Sequence, residues 1–254
     1  MTAKPIVSWI GGKRKLAKHI LPLFPDHECY VEPFCGAAAL FFMKPPAKSE
    51  IINDTNGEIV NLYRVVKYHL GEFLKQFDWT ITSRETYEGL KHTPAESLTD
   101  IQRAARFYYL QRLTFGGAVT NPRFSPQNHR QSPLDPFTIE KDLTAAKSRL
   151  ARTYIERLDW TKCVSRYDRE HTLFYCDPPY YGTEGYGVDF GLEQYTKLAQ
   201  TAKTIKGKMV ISVNDIPEMR EAFNGFDMKQ ITTFYNFNGA RETKPSSELL
   251  ICNF

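Results

Sequence analysis

Cysteine is scarce in this chain, and what little there is lies scattered. Cys29, Cys35, Cys163, Cys176 and Cys252 form no CxxC pair and take no metal-like spacing with the histidines. Their odd total suits reduced thiols, which excludes a disulfide framework and sets the expected location in the cytoplasm. Long apolar runs are also missing: the longest, residues 36–43, falls far short of the roughly 20 residues that cross a bilayer, and no cleavable apolar leader opens the sequence. A membrane role is therefore not expected. There is no internal repeat, no low-complexity tract and no acidic excess; 33 Lys and Arg against 29 Asp and Glu leave a net charge of +4, a mild preference for polyanionic partners. The 254 residues are enough to bury a substantial core.

Strand-helix alternation occupies both ends of the chain and lapses in the middle. Residues 30–32 lead through Pro33, Phe34, Cys35 and Gly36 into strong helix formers at 37–42, which reads as strand, tight turn and helix. Residues 50–54 form a second short strand, followed by Ile59, Leu62, Tyr63 and Val66 at helical spacing within 57–70. Between about 67 and 152 the sequence turns helical and basic, with a loop rich in Pro, Asn, Gly and Ser at 116–136, and reads as an insertion. Strand-like segments resume at 153–158, 172–176, 208–213, 227–233 and 248–254, with a helix at 192–205. Only a loop separates the last two, so an antiparallel hairpin is expected. The expected class is α/β, with 1–66 and 153–254 building one sheet domain around a mainly helical insertion at 67–152.

The strongest chemical signal is Asp177-Pro178-Pro179-Tyr180, directly after the apolar strand segment Leu173-Phe174-Tyr175. An open α/β sheet places its ligand crevice at such a strand end. An aryl amine is a poor nucleophile, because its lone pair is delocalised into the ring. The Asp177 carboxylate and the Pro178 carbonyl are suited to accept its two hydrogens, aim the nitrogen and stabilise the charge that develops there. Pro178 and Pro179 stiffen the turn, and Tyr180 offers an aromatic face to an extruded base. The bland alternative is a proline turn that ends a strand.

A second signal is Glu32 to Gly36, followed by Asp54 at the end of the next strand. Gly36 allows close approach of the backbone to a ligand, and Asp54 can accept from ribose hydroxyls; the same pattern also serves simple packing in many α/β proteins. Near the N-terminus, Trp9, Gly11, Gly12 and Lys13 provide an indole, a glycine pair and a cation able to grip a carboxylate, although a helix start with Arg14, Lys15 and Lys18 on a solvated face explains them as well. A Walker loop is excluded because Val7 stands where its first glycine belongs.

Taken together and in this order, Trp9 to Lys13, Glu32 to Gly36, Asn53-Asp54, Asp177 to Tyr180, Ser212 to Asp215 and Glu248 to Phe254 resemble the Dam-type adenine-specific DNA methyltransferases, particularly phage and prophage members. The resemblance implies a Rossmann-like, S-adenosylmethionine-dependent methyltransferase sheet with an inserted target-recognition domain. It implies a monomer acting on double-stranded DNA by direct transfer to a flipped adenine. It assigns catalysis to Asp177, Pro178, Pro179 and Tyr180, and cofactor contacts to Trp9, Lys13, Phe34, Gly36, Asp54 and Asp177. Asp159 and Trp160 stand at the family's acidic-aromatic pair, with Asp168 a rival. Two departures stand out: Ala38 replaces a second glycine, and Gln111 and Gly116 occupy asparagine places in the segment 110–117, so the GATC target of the best-known members does not carry over.

Within the insertion, Arg103, Arg106, Arg112, Arg123, His129, Arg130, Lys141, Lys147, Arg149 and Arg152 supply cations for phosphates. Arg112, Phe115, Asn121, Arg123 and Arg130 are the expected DNA contacts, with Arg123 and Arg130 placed to reach a groove from the loop 121–132. A ring-carbon methyltransferase would present a cysteine after proline, and the chain has no Pro-Cys pair; a zinc deaminase pattern and other metal ligand sets are also missing. The remaining alternatives are methylation of a cytosine amine, methylation of adenine in RNA, and an inactive module that binds DNA and cofactor.

Overall fold

The computed structural model describes residues 3–9, 11–118, 122–125, 132–182, 190–235 and 244–254. Seven strands, β1 (Cys29–Glu32), β2 (Ser49–Asn53), β3 (Thr153–Glu156), β4 (Thr172–Cys176), β5 (Lys208–Asn214), β6 (Asp227–Tyr235) and β7 (Lys244–Cys252), form one sheet in the order β3-β2-β1-β4-β5-β7-β6. The pairs β3·β2, β2·β1, β1·β4 and β4·β5 are parallel, whereas β7 runs antiparallel to both β5 and β6. The expected terminal hairpin is present, longer than its apolar residues alone suggested.

Nine α-helices accompany the sheet: α1 (Ala17–Ile20), α2 (Ala39–Met43), α3 (Gly57–Lys75), α4 (Arg84–His92), α5 (Asp100–Leu113), α6 (Pro136–Leu150), α7 (Trp160–Tyr167), α8 (Leu192–Thr204) and α9 (Pro217–Ala222), counted among the described residues. Both faces of the sheet are covered, which is why β4 is buried along its whole length. Leu173 and Tyr175 face one core with Tyr30 and Ile52, packed by α1 to α6. Phe174 and Cys176 face the other with Val31 and Ile211, packed by α7, α8 and α9. No described helix is long and apolar enough to cross a membrane.

The sequence boundary at 66/67 falls inside α3, which continues to Lys75 with one backbone irregularity at His69. Its inward stripe, including Tyr63, Val66, Leu70 and Phe73, extends the sheet's core to Tyr87 on α4, Tyr108 on α5 and Leu143 on α6. The insertion thus shares its core with the sheet. Arg149, expected among the DNA-facing cations, points inward instead: it pairs with the buried Glu50 and donates to the Phe41 carbonyl at 2.8 Å. Several other arginines of that set are also engaged. Arg103 pairs with Glu58, Arg106 donates to the carbonyls of Leu90 and Lys91, and Arg112 donates to that of Pro133. Arg123, Lys141, Lys147 and Arg152 are exposed; His129, Arg130 and Asn121 lie outside the described residues, as does the Phe115 side chain.

Candidate active site

Strand order reverses between β1 and β4, whose neighbours run outward as β2-β3 on one side and β5 on the other. Ligands of open α/β sheets bind in the crevice beyond the carboxyl ends of strands at such a point. The turn after β1 carries Phe34 and Gly36; the turn after β4 carries Asp177 to Tyr180. Between them lies a cavity of about 330 Å³ lined by Trp9, Lys13, Phe34, Gly36, Asp54, Asp159, Trp160, Asp177 and Pro179, among others. Residues from five separate stretches of chain, singled out in the sequence, therefore share one space.

Each wall has a local cause. Asp54 ends β2, and its carboxylate accepts from Gly36 N at 2.8 Å and Asn56 N at 2.9 Å, fixing the glycine turn to the start of α3. A carboxylate has about four lone-pair sites, so capacity remains for a ligand. Asn53 is buried and ties three strand ends together, donating to the carbonyls of Pro33 and Leu158 and accepting from Leu158 N. Asp159 caps α7 by accepting from Thr161 N, and Trp160 donates its indole N–H to Gln194 at 3.0 Å. Asp168, the rival acid, accepts from Lys206 N and Gly207 N and does not line the cavity.

Gly36 has φ +43°, and a Cβ added there would stand 2.6 Å from the Trp9 indole nitrogen. Gly36→Ala is expected to displace Trp9 and lower stability by roughly 1–3 kcal/mol, while cofactor titration by calorimetry weakens more than tenfold; unchanged titration contradicts this packing. Ala38, at the family's second glycine place, does adopt the left-handed region at φ +51°. That backbone costs an L-residue roughly 1–2 kcal/mol, offset in part by about 0.8 kcal/mol from one fully buried methyl.

Asp177 is the most perturbed acid of the turn. Burial pushes its carboxyl up to about 6, with Lys13 pulling in the other direction. The Lys13 ammonium lies 2.8 Å from Asp177 Oδ1, donates to the Gly11 carbonyl at 3.0 Å and stands 4.3 Å from the centre of the Tyr180 ring. Thus Lys13 lines the cavity with its charge turned toward Asp177, while Arg14, Lys15 and Lys18 are exposed, as the plainer reading of this segment had it. The turn is braced from behind: Tyr195 donates to the Pro179 carbonyl, and Asn214 donates to the Tyr181 carbonyl at 3.2 Å. Among the described residues no donor reaches the Pro178 carbonyl.

Three lining groups were not singled out in the sequence. Glu32 is buried, accepts from the Tyr30 hydroxyl and Phe41 N at 2.8 Å each, and is pushed up to about 7 by burial. Phe190 meets Phe34 edge-on at 5.5 Å, and Gln194 orients Trp160. Glu32 sat in a recognised motif but read as the end of its strand with no role of its own, whereas Phe190 lies in a loop without periodicity. Cys35 and Cys176 are buried with thiols pushed well up, so both pack as small neutral groups.

Fold and site define a Rossmann-like methyltransferase in which an Asp-Pro-Pro-Tyr turn shares its cavity with a glycine turn and two acids. The chain belongs to the D12 class N6 adenine-specific DNA methyltransferase family, whose model matches residues 9–237. It is similar to a DNA adenine methylase of Haemophilus influenzae, 26% identical over 272 residues covering 99% of this chain and 93% of the relative. It is also similar to the type II methyltransferase M1.LlaDCHI of Lactococcus lactis subsp. cremoris, 27% identical over 281 residues covering 99% and 95%. A third relative is the type II methyltransferase M.CviBI of Paramecium bursaria Chlorella virus NC1A, 26% identical over 241 residues covering 92% of each chain.

Proposed function

We propose that this enzyme transfers a methyl group from S-adenosylmethionine directly to the exocyclic amine of an adenine swung out of double-stranded DNA. The observation that carries the reading is the placement of the perturbed Asp177 carboxylate at the sheet's switch point, in one cavity with Gly36, Asp54 and Trp160. The viral relative supports the phage-like affinity of the sequence.

The cavity suits the adenosyl donor. Its volume is within the roughly 300–1,000 Å³ of ligand pockets. Gly36 leaves a cradle under Trp9 that a Cβ would fill. Phe34, Trp160 and Phe190 form an aromatic wall for a purine, and Asp54 and Asp159 provide acceptors for its hydroxyl and amino hydrogens. When bound, the donor supplies an electrophilic methyl on a sulfonium. Asp177 and the Pro178 carbonyl accept the two hydrogens of the target amine, hold its nitrogen in line and stabilise its growing positive charge. With a carboxyl value near 6, Asp177 is ionised at neutral pH and placed to take the proton that the methylated nitrogen sheds. Tyr180 stacks on the extruded base.

Residues 67–152 serve as the target-recognition insertion in this reading, with the exposed Arg123, beside the Thr114–Phe124 bridge, available to a groove. Expression in a host without adenine methylation, followed by sequencing of plasmid DNA for modified adenines, tests the assignment: N6-methyladenine in a defined context supports it, and unmodified DNA rejects it. Asp54→Ala is expected to raise the cofactor concentration for half-maximal rate by roughly 10–100-fold, the worth of one or two charge-assisted hydrogen bonds. Gel-shift affinity for DNA should change less than twofold; an unchanged cofactor titration refutes the role of Asp54.

A further inference from the structure

The Lys13 ammonium occupies the place in which an adenine amine would be held. It is 3% exposed, engages Asp177 at 2.8 Å, and covers the Tyr180 ring at 4.3 Å. Oδ2 of Asp177 retains acceptor capacity, but a base that stacks on Tyr180 must displace the buried cation covering that ring. A desolvated ammonium without a counter-ion is strongly unfavourable, so productive entry requires a second anion within a short movement. Glu248 on β7 meets that requirement: it is 1% exposed, its Oε2 lies 3.9 Å from Lys13 Nζ, and it accepts from Ser212 Oγ at 3.1 Å. Ser212 on β5 and Glu248 are held by the antiparallel pairing of β5 with β7, so the carboxylate is fixed by the sheet, not by a loop.

We propose that Glu248 is a positioning residue that takes over the Lys13 ammonium when the amine of the target adenine claims the Asp177 carboxylate. This rests on the role given to Asp177 above. In the free enzyme Lys13 bridges toward both acids and keeps Asp177 ionised. As the base enters, Lys13 shifts to Glu248, the carboxylate is released for the amine, and the Tyr180 face opens. The ionisable groups around Lys13 are Asp177, Tyr180 and, from β7, Glu248, with Tyr175 and Glu32 of the sheet within electrostatic reach of Asp177. Neither Ser212 nor Glu248 lines the cavity.

The test uses the full enzyme in single-turnover methyl transfer from tritiated S-adenosylmethionine to unmethylated plasmid DNA, between pH 6 and 9.5, with plasmid affinity and thermal unfolding measured in parallel. Glu248→Gln is isosteric and keeps an acceptor for Ser212. It is expected to slow transfer by about 100-fold, the scale of a misplaced reacting group, with plasmid affinity unchanged within about twofold, since phosphate contacts dominate that term. Adding Lys13→Met removes the cation that needs relocation, so the double variant is expected to recover at least about tenfold over Glu248→Gln at the alkaline end, where Asp177 stays ionised without help; such non-additivity marks groups that act together. Transfer by Glu248→Gln at the wild-type rate overturns the proposal, and so does a double variant no faster than Glu248→Gln at any pH. Retained turnover in Asp177→Ala would instead overturn the underlying reading, which separates the two failures.

Discussion

Asp177→Ala is expected to reduce methyl transfer by roughly 10²–10³-fold or more, the worth of a preorganised electrostatic partner in a water-poor site. The variant removes the charged acceptor while leaving Pro178, Pro179 and the braces from Tyr195 and Asn214 in place. DNA affinity, set mainly by phosphate contacts, should hold within about twofold. The wild-type rate carries a matching pH signature. The Asp177 carboxyl is raised to about 6 by burial, so the acceptor is lost as pH falls through that value. Below it, the rate should drop about tenfold per pH unit as the ionised fraction falls, and Asp177→Asn should abolish that limb. A flat profile from pH 5 to 7 would show that the ionised carboxylate is not required.

The second large effect concerns stability. Glu50 is buried at the start of β2, where it pairs with Lys44 at 2.6 Å and with Arg149 of α6. The Arg149 guanidinium also lies 3.8 Å from the centre of the Phe41 ring. Burial pushes the Glu50 carboxyl up, yet Arg149 and Lys44 together bring it below its ordinary value. Burial pushes Lys44 down despite Glu50, so the favourable half of the cluster is the arginine pair. Glu50→Ala would leave two cations facing each other without water, at a cost of about 3–5 kcal/mol, or a fall in melting temperature of roughly 6–20 °C for a chain of this size. The sign with pH is fixed. A depressed carboxylate stabilises above its unfolded value of about 4.3 and loses that contribution as pH falls through the lower folded value. Wild type and variant should therefore converge in acid; a constant gap down to pH 3 would contradict the ionic origin.

Most of the site was legible because its chemistry depends on residues adjacent in sequence. Asp177 to Tyr180, Phe34 and Gly36, and the Asn53-Asp54 pair each end a strand, and apolar strands were visible as short buried runs. What periodicity could not show was partnership across the fold. Arg149 and Arg112 read as surface cations because a basic residue on a helix gives no sign of which way it points; one closes a buried pair with Glu50, the other caps the Pro133 carbonyl. Glu248 looked like the start of a closing strand, and its meaning arises only when β7 inserts beside β5. The boundary at 66/67 falls inside α3 for a related reason: the apolar stripe of that helix continues past it, so one helix packs against both the sheet and the helices that follow. Which of Asp159 and Asp168 lines the cavity is likewise visible only in space: Asp159 does, and Asp168 accepts from Lys206 N instead.

The most direct measurement is mass spectrometry of nucleosides digested from unmethylated plasmid DNA after incubation with the enzyme and S-adenosylmethionine bearing a deuterated methyl group. The account predicts label in N6-methyldeoxyadenosine with wild type and its near-absence with Asp177→Ala at equal DNA occupancy. Label on cytosine, or equal labelling of adenine by both proteins, would contradict it.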